Sequence, residues 1–308
     1  QKDFDELLLS EEKPFFNRAL KGRYPPASSI KPAIAMYGIE EGLIDWDYSI
    51  FDEGFFTLPE DGRIYRDWKE GGHGDTNLFK AITQSSNTYF FDLAYRSDIN
   101  QLNKHLSSLG FGDKTCIDCF EEDEVFVPEP SWKMNKHNFG WFKGDTVNMG
   151  VGQGYLVSTP IQLAKYAYIM ANKGKFSDLS LKKDLVKSEK SIEFNKFSND
   201  DWFKLHESMV NVIEGNTGTA RRLRERKNYI VAAKTGTAEL VSGDNREQYS
   251  ETRLDDSLRD HALIIAFGPM PNPRYAVSVV VENGESGGSV AGPVAISVLN
   301  SLIQEWDI

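Results

Sequence analysis

Ala262-Leu-Ile-Ile-Ala-Phe-Gly-Pro-Met-Pro-Asn-Pro-Arg-Tyr-Ala-Val-Ser-Val-Val-Val-Glu282 holds two apolar, partly β-branched runs, Ala262–Phe267 and Tyr275–Glu282, joined by the short, proline-rich segment Gly268–Arg274. Runs of this kind, bounded by Gly, Pro and Asn, read as strands. A connection this short makes them antiparallel neighbours, because a parallel pair needs a crossover of a dozen residues or more. Tyr229–Ala233 has the same texture and predicts a third strand. Helical patterns cluster earlier: residues 28–41 are mostly apolar, Asn77–Tyr95 is interrupted at Ser85-Ser86-Asn87, and Thr159–Ala171 and a stretch from about Asp201 to Glu214 follow. A last helix, about Val290 to Trp306, closes the chain. Helices early and an antiparallel sheet late predict an α+β fold rather than a doubly wound one.

Proline and capping residues place the starts. Residues 1–27 are polar and end in Tyr24-Pro25-Pro26-Ala27, which cannot propagate a helix, so the pattern from Ser28 begins after a forced break. Pro32 falls in the first turn, where most amide donors have no partner to lose. Ser158-Thr159-Pro160 starts the third helix. Residues 172–200, dense in Lys, Ser, Asp and Glu, predict a surface insertion. No internal repeat is visible, and residues 1–308 are expected to form a single domain with two subregions.

Composition excludes several function classes. With 308 residues, 40% of them hydrophobic and 12% aromatic, the chain can bury a sizeable core. A net charge of −11 repels nucleic acid and anionic membrane surfaces, so no nucleic-acid partner is expected. No run approaches the roughly 20 apolar residues that span a bilayer. The start, Gln1-Lys2-Asp3-Phe4-Asp5, has neither an initiator Met nor a basic region followed by an apolar stretch, which suggests a chain trimmed from a longer one whose anchor lies outside it. Cys116 and Cys119 form a Cys-Ile-Asp-Cys pair without a thioredoxin-like context or two further ligands, and read as incidental thiols or a local disulfide.

Three motifs carry chemistry. Ser28 and Lys31 stand three apart, which on a helix puts a hydroxyl and an amine on one face, about 5–6 Å apart at Cβ. Ser29 is only two residues from Lys31 and points elsewhere. Lys31 reads as lying on an exposed helix face. Ser85-Ser86-Asn87 supplies a hydroxyl to relay a proton and an amide to hold a carbonyl. Lys234-Thr235-Gly236-Thr237, directly after a predicted strand, offers cation and hydroxyls for a carboxylate and backbone donors for an extended substrate. Each motif alone is weak. Their order, with Ser-x-Asn about 57 residues after Ser28 and Lys-Thr-Gly on a late strand, is the motif set of class A β-lactamases and penicillin-binding proteins.

Flanking segments narrow the resemblance. Arg23-Tyr-Pro-Pro-Ala-Ser-Ser-Ile-Lys-Pro32, Tyr65-Arg-Asp-Trp-Lys69, Gly72-His-Gly74, Ser85-Ser-Asn-Thr-Tyr-Phe-Phe91, Gly152-Gln-Gly-Tyr155 with Thr159-Pro-Ile-Gln162, Arg259-Asp-His261 and Val281-Glu-Asn-Gly284 resemble the transpeptidase domain of class B penicillin-binding proteins of the elongation-specific type, from about Asn17 to the C-terminus. Ala27 stands where many members have Gly, and Cys116 where Gly is expected in a Thr-Gly-Ile-Asp segment.

The resemblance implies a penicillin-recognising serine transpeptidase fold, an antiparallel sheet flanked by helices plus an all-helical part. It implies Ser28 as nucleophile, Lys31 as base, Ser85 as relay and Asn87 as amide holder. Lys234 and Thr235 would shape the field, Thr235, Gly236 and Thr237 would bind substrate, and the Ser28 and Thr237 amides would form an oxyanion hole. A stem peptide ending in D-Ala-D-Ala and β-lactams are the implied ligands. A membrane glycosyltransferase of the elongation machinery is the implied partner, and the implied location is the inner membrane with this domain facing the periplasm. D,D-carboxypeptidase, β-lactamase and non-enzymatic sensor readings stay open. No cofactor is expected.

Gly150-Val-Gly152-Gln-Gly154 has its third Gly one residue too early for a dinucleotide loop and reads as a tight backbone approach. Asp52, Asp67 and His73 match a zinc site of some relatives, completed there by a Cys where this chain has Ser86. Without the thiolate a hydrogen-bonded structural cluster is expected, and no metal.

Overall fold

The late strands pair as the short connection requires. A computed structural model describes residues 2–10, 12–183, 185, 188–240 and 258–306. In it β7 (Ala232–Ala238), β8 (His261–Gly268) and β9 (Tyr275–Val281) form a three-stranded antiparallel sheet in that order. Lys234 faces Ile265 and Thr237 faces Ala262 across one ladder, and Ile264 faces Val279 across the other.

Side-chain alternation splits the sheet between two apolar clusters. Leu263, Ile265 and Phe267 point into the larger one, with α9 (Pro160–Ala171) and α10 (Asn199–Glu214). Ala262, Ile264 and Ala266 point into the smaller one, against Ala295, Ile296 and Leu299 of α11 (Gly292–Trp306). The larger cluster continues into α3 (Lys31–Glu40), α4 (Leu78–Gln84), α5 (Asn87–Arg96), α6 (Ile99–Ser108) and α8 (Lys143–Gly150). Helices therefore cover both faces of the sheet and extend to one side of it, the α+β arrangement that the order of elements predicts.

Three boundaries move, each for a local reason. The helix expected from Ser28 does not start there as α-helix: Ala27–Ile30 is a 3₁₀ turn, and α3 begins at Lys31. Pro32 has no N–H to donate to the Ser28 carbonyl, which takes the Lys31 amide three residues on instead. The first strand of the sheet is not Tyr229–Ala233 but Ala232–Ala238, so Lys-Thr-Gly lies inside it rather than after it. Lys, Gly and Ala are poor strand formers, and here pairing with the central strand β8 overrides that preference. The last helix is preceded by a wide π-type turn at Gly287–Ala291 and starts at Gly292. As predicted, the helix interrupted at Ser85-Ser86-Asn87 is two helices, α4 and α5, with Ser85 left-handed at φ 61° between them.

The segment between α3 and α4 was blank to periodicity. It holds β1 (Ser49–Asp52) paired with β4 (Gly74–Asn77), and β2 (Phe55–Thr57) paired with β3 (Ile64–Arg66). Before Ser28 stand α1 (Lys2–Leu9) and α2 (Arg18–Lys21), and α7 (Pro130–His137) precedes α8. Within residues 172–200, β5 (Lys175–Phe176) pairs with β6 (Lys190–Ser191), Phe197 is buried, and Glu40 accepts the amides of Asn195, Lys196 and Phe197.

Gly152 is the tight backbone approach expected of its motif. Its carbonyl accepts the Ala27 amide at 2.8 Å, and a Cβ on it would lie 2.2 Å from the Ala27 carbonyl oxygen. Ala27 itself is left-handed at φ 48°, a conformation that costs a non-glycine residue about 1–2 kcal/mol. The residue before Ser28 is thus held in a strained shape by Gly152. Gly62 is also left-handed, at φ 74°, but with nothing within 4 Å of a built Cβ. Gly62→Ala should therefore destabilise by only about 1–2 kcal/mol, the backbone cost, whereas Gly152→Ala should lose a further ~1–3 kcal/mol to overpacking. Equal melting temperatures for the two variants would show that the Ala27–Gly152 contact is not rigid.

Candidate active site

The 3₁₀ turn sorts the two serines. Ser29 is buried and its hydroxyl donates to the Pro26 carbonyl at 2.6 Å, which engages it as a turn lock. Ala27 and Ile30 are also buried, so Ser28 alone in the turn keeps partial exposure. The turn lies directly on β7: a Cβ on Gly236 would sit 3.2 Å from the Pro26 oxygen and 3.3 Å from the Ser29 nitrogen.

Lys31 is fully buried, against the exposed face read from its spacing. Its Nζ donates to Asn87 Oδ1 at 2.6 Å, to the carbonyls of Ser85 at 2.7 Å and Ser86 at 3.1 Å, and at 3.4 Å to Ser85 Oγ. Because an ammonium only donates, Asn87 must turn its oxygen to it, which leaves the Asn87 NH₂ as donor for another ligand. Burial pushes the Lys31 amine down to about 7, against Asp67 and Asp52, which favour its charged form. Lys234, also fully buried, donates to Ser85 Oγ at 2.8 Å and to the Thr235 carbonyl at 3.1 Å. Its amine is held well below the usual lysine range, first by burial and then by Lys31. Desolvation is the largest cause that depresses both amines, and the two positive charges disfavour each other.

The remaining predicted residues divide. Thr235 is buried and shares a 2.6 Å hydroxyl contact with Thr219, so its side chain is engaged behind the strand. Thr237 is half-buried and its carbonyl accepts Gln153 Nε2 at 3.2 Å. The spacing of motifs gave no role to three residues that touch the cluster: Thr219, Gln153 and Trp68. Trp68 is 60% exposed, yet its indole N–H donates to the same Ser85 carbonyl that Lys31 uses, at 3.1 Å. Gln153 and Trp68 lie in segments that carry the family resemblance, while Thr219 had no signal of its own.

Asp52, Asp67 and His73 do converge, with ligand-type atoms within 4.8 Å of one another. His73 Nδ1 lies 2.7 Å from Asp52 Oδ2, and Ser86 Oγ donates to that same oxygen at 2.7 Å. Asp67 Oδ2 accepts the amides of Asn87 at 2.5 Å and Thr88 at 2.9 Å, the start of α5. Burial raises the Asp52 carboxyl, but the hydrogen bonds from His73, Ser86 and the Gly54 amide outweigh it and hold the group well below the usual range. Buried His73 Nε2 has no hydrogen-bond partner among the described residues. A structural zinc takes four anionic or imidazole ligands. Here the fourth neighbour is a neutral alcohol already committed to Asp52, so the set does not fit that ion. Cys116 and Cys119 form a disulfide with Cα atoms 5.3 Å apart.

A partly exposed hydroxyl at the head of a helix, two buried amines on one relay hydroxyl, and a strand edge beside them make an arrangement for nucleophilic acyl transfer. The sequence matches the family described as penicillin binding protein transpeptidase domain over residues 1–300. It is 40% identical over 299 residues to the peptidoglycan D,D-transpeptidase MrdA of Acinetobacter baumannii, covering 94% of this chain and 44% of that protein. With the MrdA of Haemophilus influenzae it is 37% identical over 312 residues, covering 99% of this chain and 48% of the relative. The chain thus spans about half the length of the curated relatives it matches. The crystal structure of Pseudomonas aeruginosa PBP2 in complex with WCK 5153 superposes with a TM-score of 0.87 at 36% identity, over 98% of this chain and 63% of that one. The complex of PBP2 and MreC from Helicobacter pylori gives a TM-score of 0.87 at 29% identity, over 100% of this chain and 55% of that one.

If neutral Lys31 is the base, acylation by penicillin should speed up about tenfold per pH unit below the Lys31 pKa and level off above about 7, since only the deprotonated amine can accept the serine proton. Stopped-flow rates that are flat between pH 5 and 9 would remove Lys31 from that role. Chelator should change neither melting temperature nor acylation rate; a large drop in melting temperature would mean that Asp52, Asp67 and His73 hold a metal after all.

Proposed function

From the premise that this chain belongs to the penicillin-binding protein transpeptidase family, we propose that it is a peptidoglycan D,D-transpeptidase domain, one unit across residues 1–308, acting through an acyl-enzyme on Ser28. The observation that carries the reading is the convergence of both lysines on Ser85 Oγ, with Lys31 directly after the turn that holds the partly exposed Ser28.

Ser28 Oγ attacks the carbonyl of the penultimate D-Ala while Lys31 takes its proton. At pH 7 an unperturbed lysine is neutral about once in 2,500 molecules, whereas at a pKa of about 7 roughly half are. The tetrahedral oxyanion is met by the Ser28 and Thr237 amides, a role supported by the packing of β7 on the turn through Gly236; such donors contribute about 2.7–4 kcal/mol each. As the C–N bond breaks, the proton returns through Ser85 to the leaving D-Ala amine, and Asn87 holds the substrate amide with its free NH₂. Thr237 and the strand edge take the terminal carboxylate, and Lys234 sets the local field. An acceptor amine then attacks the ester, and Ser28 recovers its proton.

The same reading makes β-lactams covalent inhibitors. It places the domain on the periplasmic side of the inner membrane, alongside a membrane glycosyltransferase; no described helix is long and apolar enough to cross a membrane. Support for assembly comes from relatives solved with MreC and in a synthase complex coordinating polymerization and crosslinking. Against a β-lactamase, the carboxylates acting on Lys31, Asp52 and Asp67, are engaged by amides, Ser86 and His73 rather than free to activate water. General-base help is worth typically ~10²–10⁴-fold in rate. Intact mass after penicillin should therefore show one stable adduct, on the Ser28 peptide, that outlasts removal of free drug and is absent in Ser28→Ala. Rapid return to the unmodified mass with repeated consumption of drug would replace the transpeptidase with a β-lactamase.

A further inference from the structure

Next to the catalytic cluster, an acidic protein carries a concentrated positive patch. Between Glu214 and Lys227 stand five cations, Arg221, Arg222, Arg224, Arg226 and Lys227, against two carboxylates, Glu214 and Glu225. Glu214 is already shared by Arg224, 3.8 Å away, and Lys227. The side chains of Arg221 and Arg222 have no ion-pair or hydrogen-bond partner among the described residues, and they line an open cavity of about 440 Å³ with Asn216, Arg224 and Glu225.

The segment that presents them is rigid and begins at the catalytic site. A Cβ on Gly218 would lie 2.3 Å from the Val212 oxygen, and one on Gly288 would lie 2.5 Å from the Thr219 oxygen. Leu223 is buried, and Arg224 bonds the Glu214 carbonyl. Thr219 bonds Thr235 in β7, and Thr217 accepts from Gln84, the neighbour of Ser85, at 3.1 Å. The cavity thus opens within a few residues of both the relay serine and the strand that receives the substrate.

We propose that Arg221 and Arg222 form an anion subsite that binds a carboxylate of the acceptor peptide. This rests on the transpeptidase reading. There, the terminal carboxylate of the donor lies along Thr235–Thr237, the leaving D-Ala departs past that end, and the acceptor enters where it left. An acceptor stem peptide carries free carboxylates near its amine. A guanidinium fork matches a carboxylate in geometry and charge, and stays charged at every working pH. The single carboxylate in the lining, Glu225, is outnumbered by three arginines.

The test measures binding, so that it does not depend on turnover. Calorimetry on the Ser28→Ala protein would compare the peptide L-Ala-γ-D-Glu-L-Lys with the same peptide amidated at both carboxylates. We expect the free acid to bind about tenfold tighter or more, the size expected of charge-assisted hydrogen bonds. Adding Arg221→Gln and Arg222→Gln should erase the difference, as should salt near 1 M, where screening acts within about 3 Å. Equal binding of the two peptides, or discrimination that survives the double substitution, overturns the subsite. The Arg221→Gln/Arg222→Gln protein with Ser28 intact should form the penicillin adduct at the parental rate; loss of that adduct in the parent would instead overturn the transpeptidase reading.

Discussion

Everything at the centre of this protein depends on burying two lysine amines around one serine hydroxyl. Moving an ammonium out of water is costly unless acceptors replace its hydration. Lys31 has three strong acceptors, the carbonyls of Ser85 and Ser86 and the Asn87 amide oxygen, whereas Lys234 has one hydroxyl and one carbonyl. The pair also repels, since a proton on one disfavours a proton on the other. Lys31 is therefore the better supplied of the two with acceptors for a proton, and Ser85 Oγ lies within reach of both amines. In the proposed mechanism that asymmetry lets one site take a proton from Ser28 and give it back to a leaving amine.

Such an arrangement demands that Ser85, Ser86 and Asn87 do not move, and the region between α3 and α4 provides this. Ser85 is left-handed, a shape the chain would not hold unaided. Its carbonyl is fixed by the Trp68 indole, Ser86 by Asp52, and the first amides of α5 by Asp67, whose negative charge also suits a helix N-terminus. In this light the Asp52–Asp67–His73 cluster is the support under the second motif. A hydroxyl at Ser86 serves that purpose as a donor, with no metal needed to hold the two carboxylates together.

What the sequence made legible follows the same physics. The hairpin, the break at Ser85 and the tight approach at Gly152 were readable because each rests on local chemistry: a short loop, polar helix breakers, a residue without a side chain. That Ser28 and Ser29 have different surroundings was readable from spacing, although the turn is 3₁₀ rather than α. The strands at 49–77 were not, because they are three or four residues long and their alternating burial is not matched by alternating polarity: Asp52 and Thr76 turn inward while Phe51 and Ile64 turn outward. The burial of Lys31 was missed because a lysine on an apolar helix reads as solvated, and only the packing of α4, α5 and β7 around it removes the water. The extent of β7 was missed because Lys-Thr-Gly has no strand preference of its own and takes its conformation from β8.

That dependence on β8 explains why the order Lys-Thr-Gly matters. Side chains alternate along a strand, so Ala232, Lys234, Gly236 and Ala238 share one face and Ala233, Thr235 and Thr237 the other. Ala232 and Ala238 belong to the cluster shared with the helical region, and Ala233 to the cluster under α11. The register with β8 thereby sends Lys234 toward Ser85 and turns the bare backbone of Gly236 onto the Ala27–Ile30 turn, while Thr235 faces back, where Thr219 satisfies its hydroxyl. A slip of one residue would exchange the faces. The amine would then point into an apolar cluster with no acceptor, and a threonine side chain would occupy the space that the Ala27–Ile30 turn needs. The buried amine and the missing Cβ are therefore also what penalises a slip of register, so the same Lys-Thr-Gly that borders the site helps to fix the sheet that carries it.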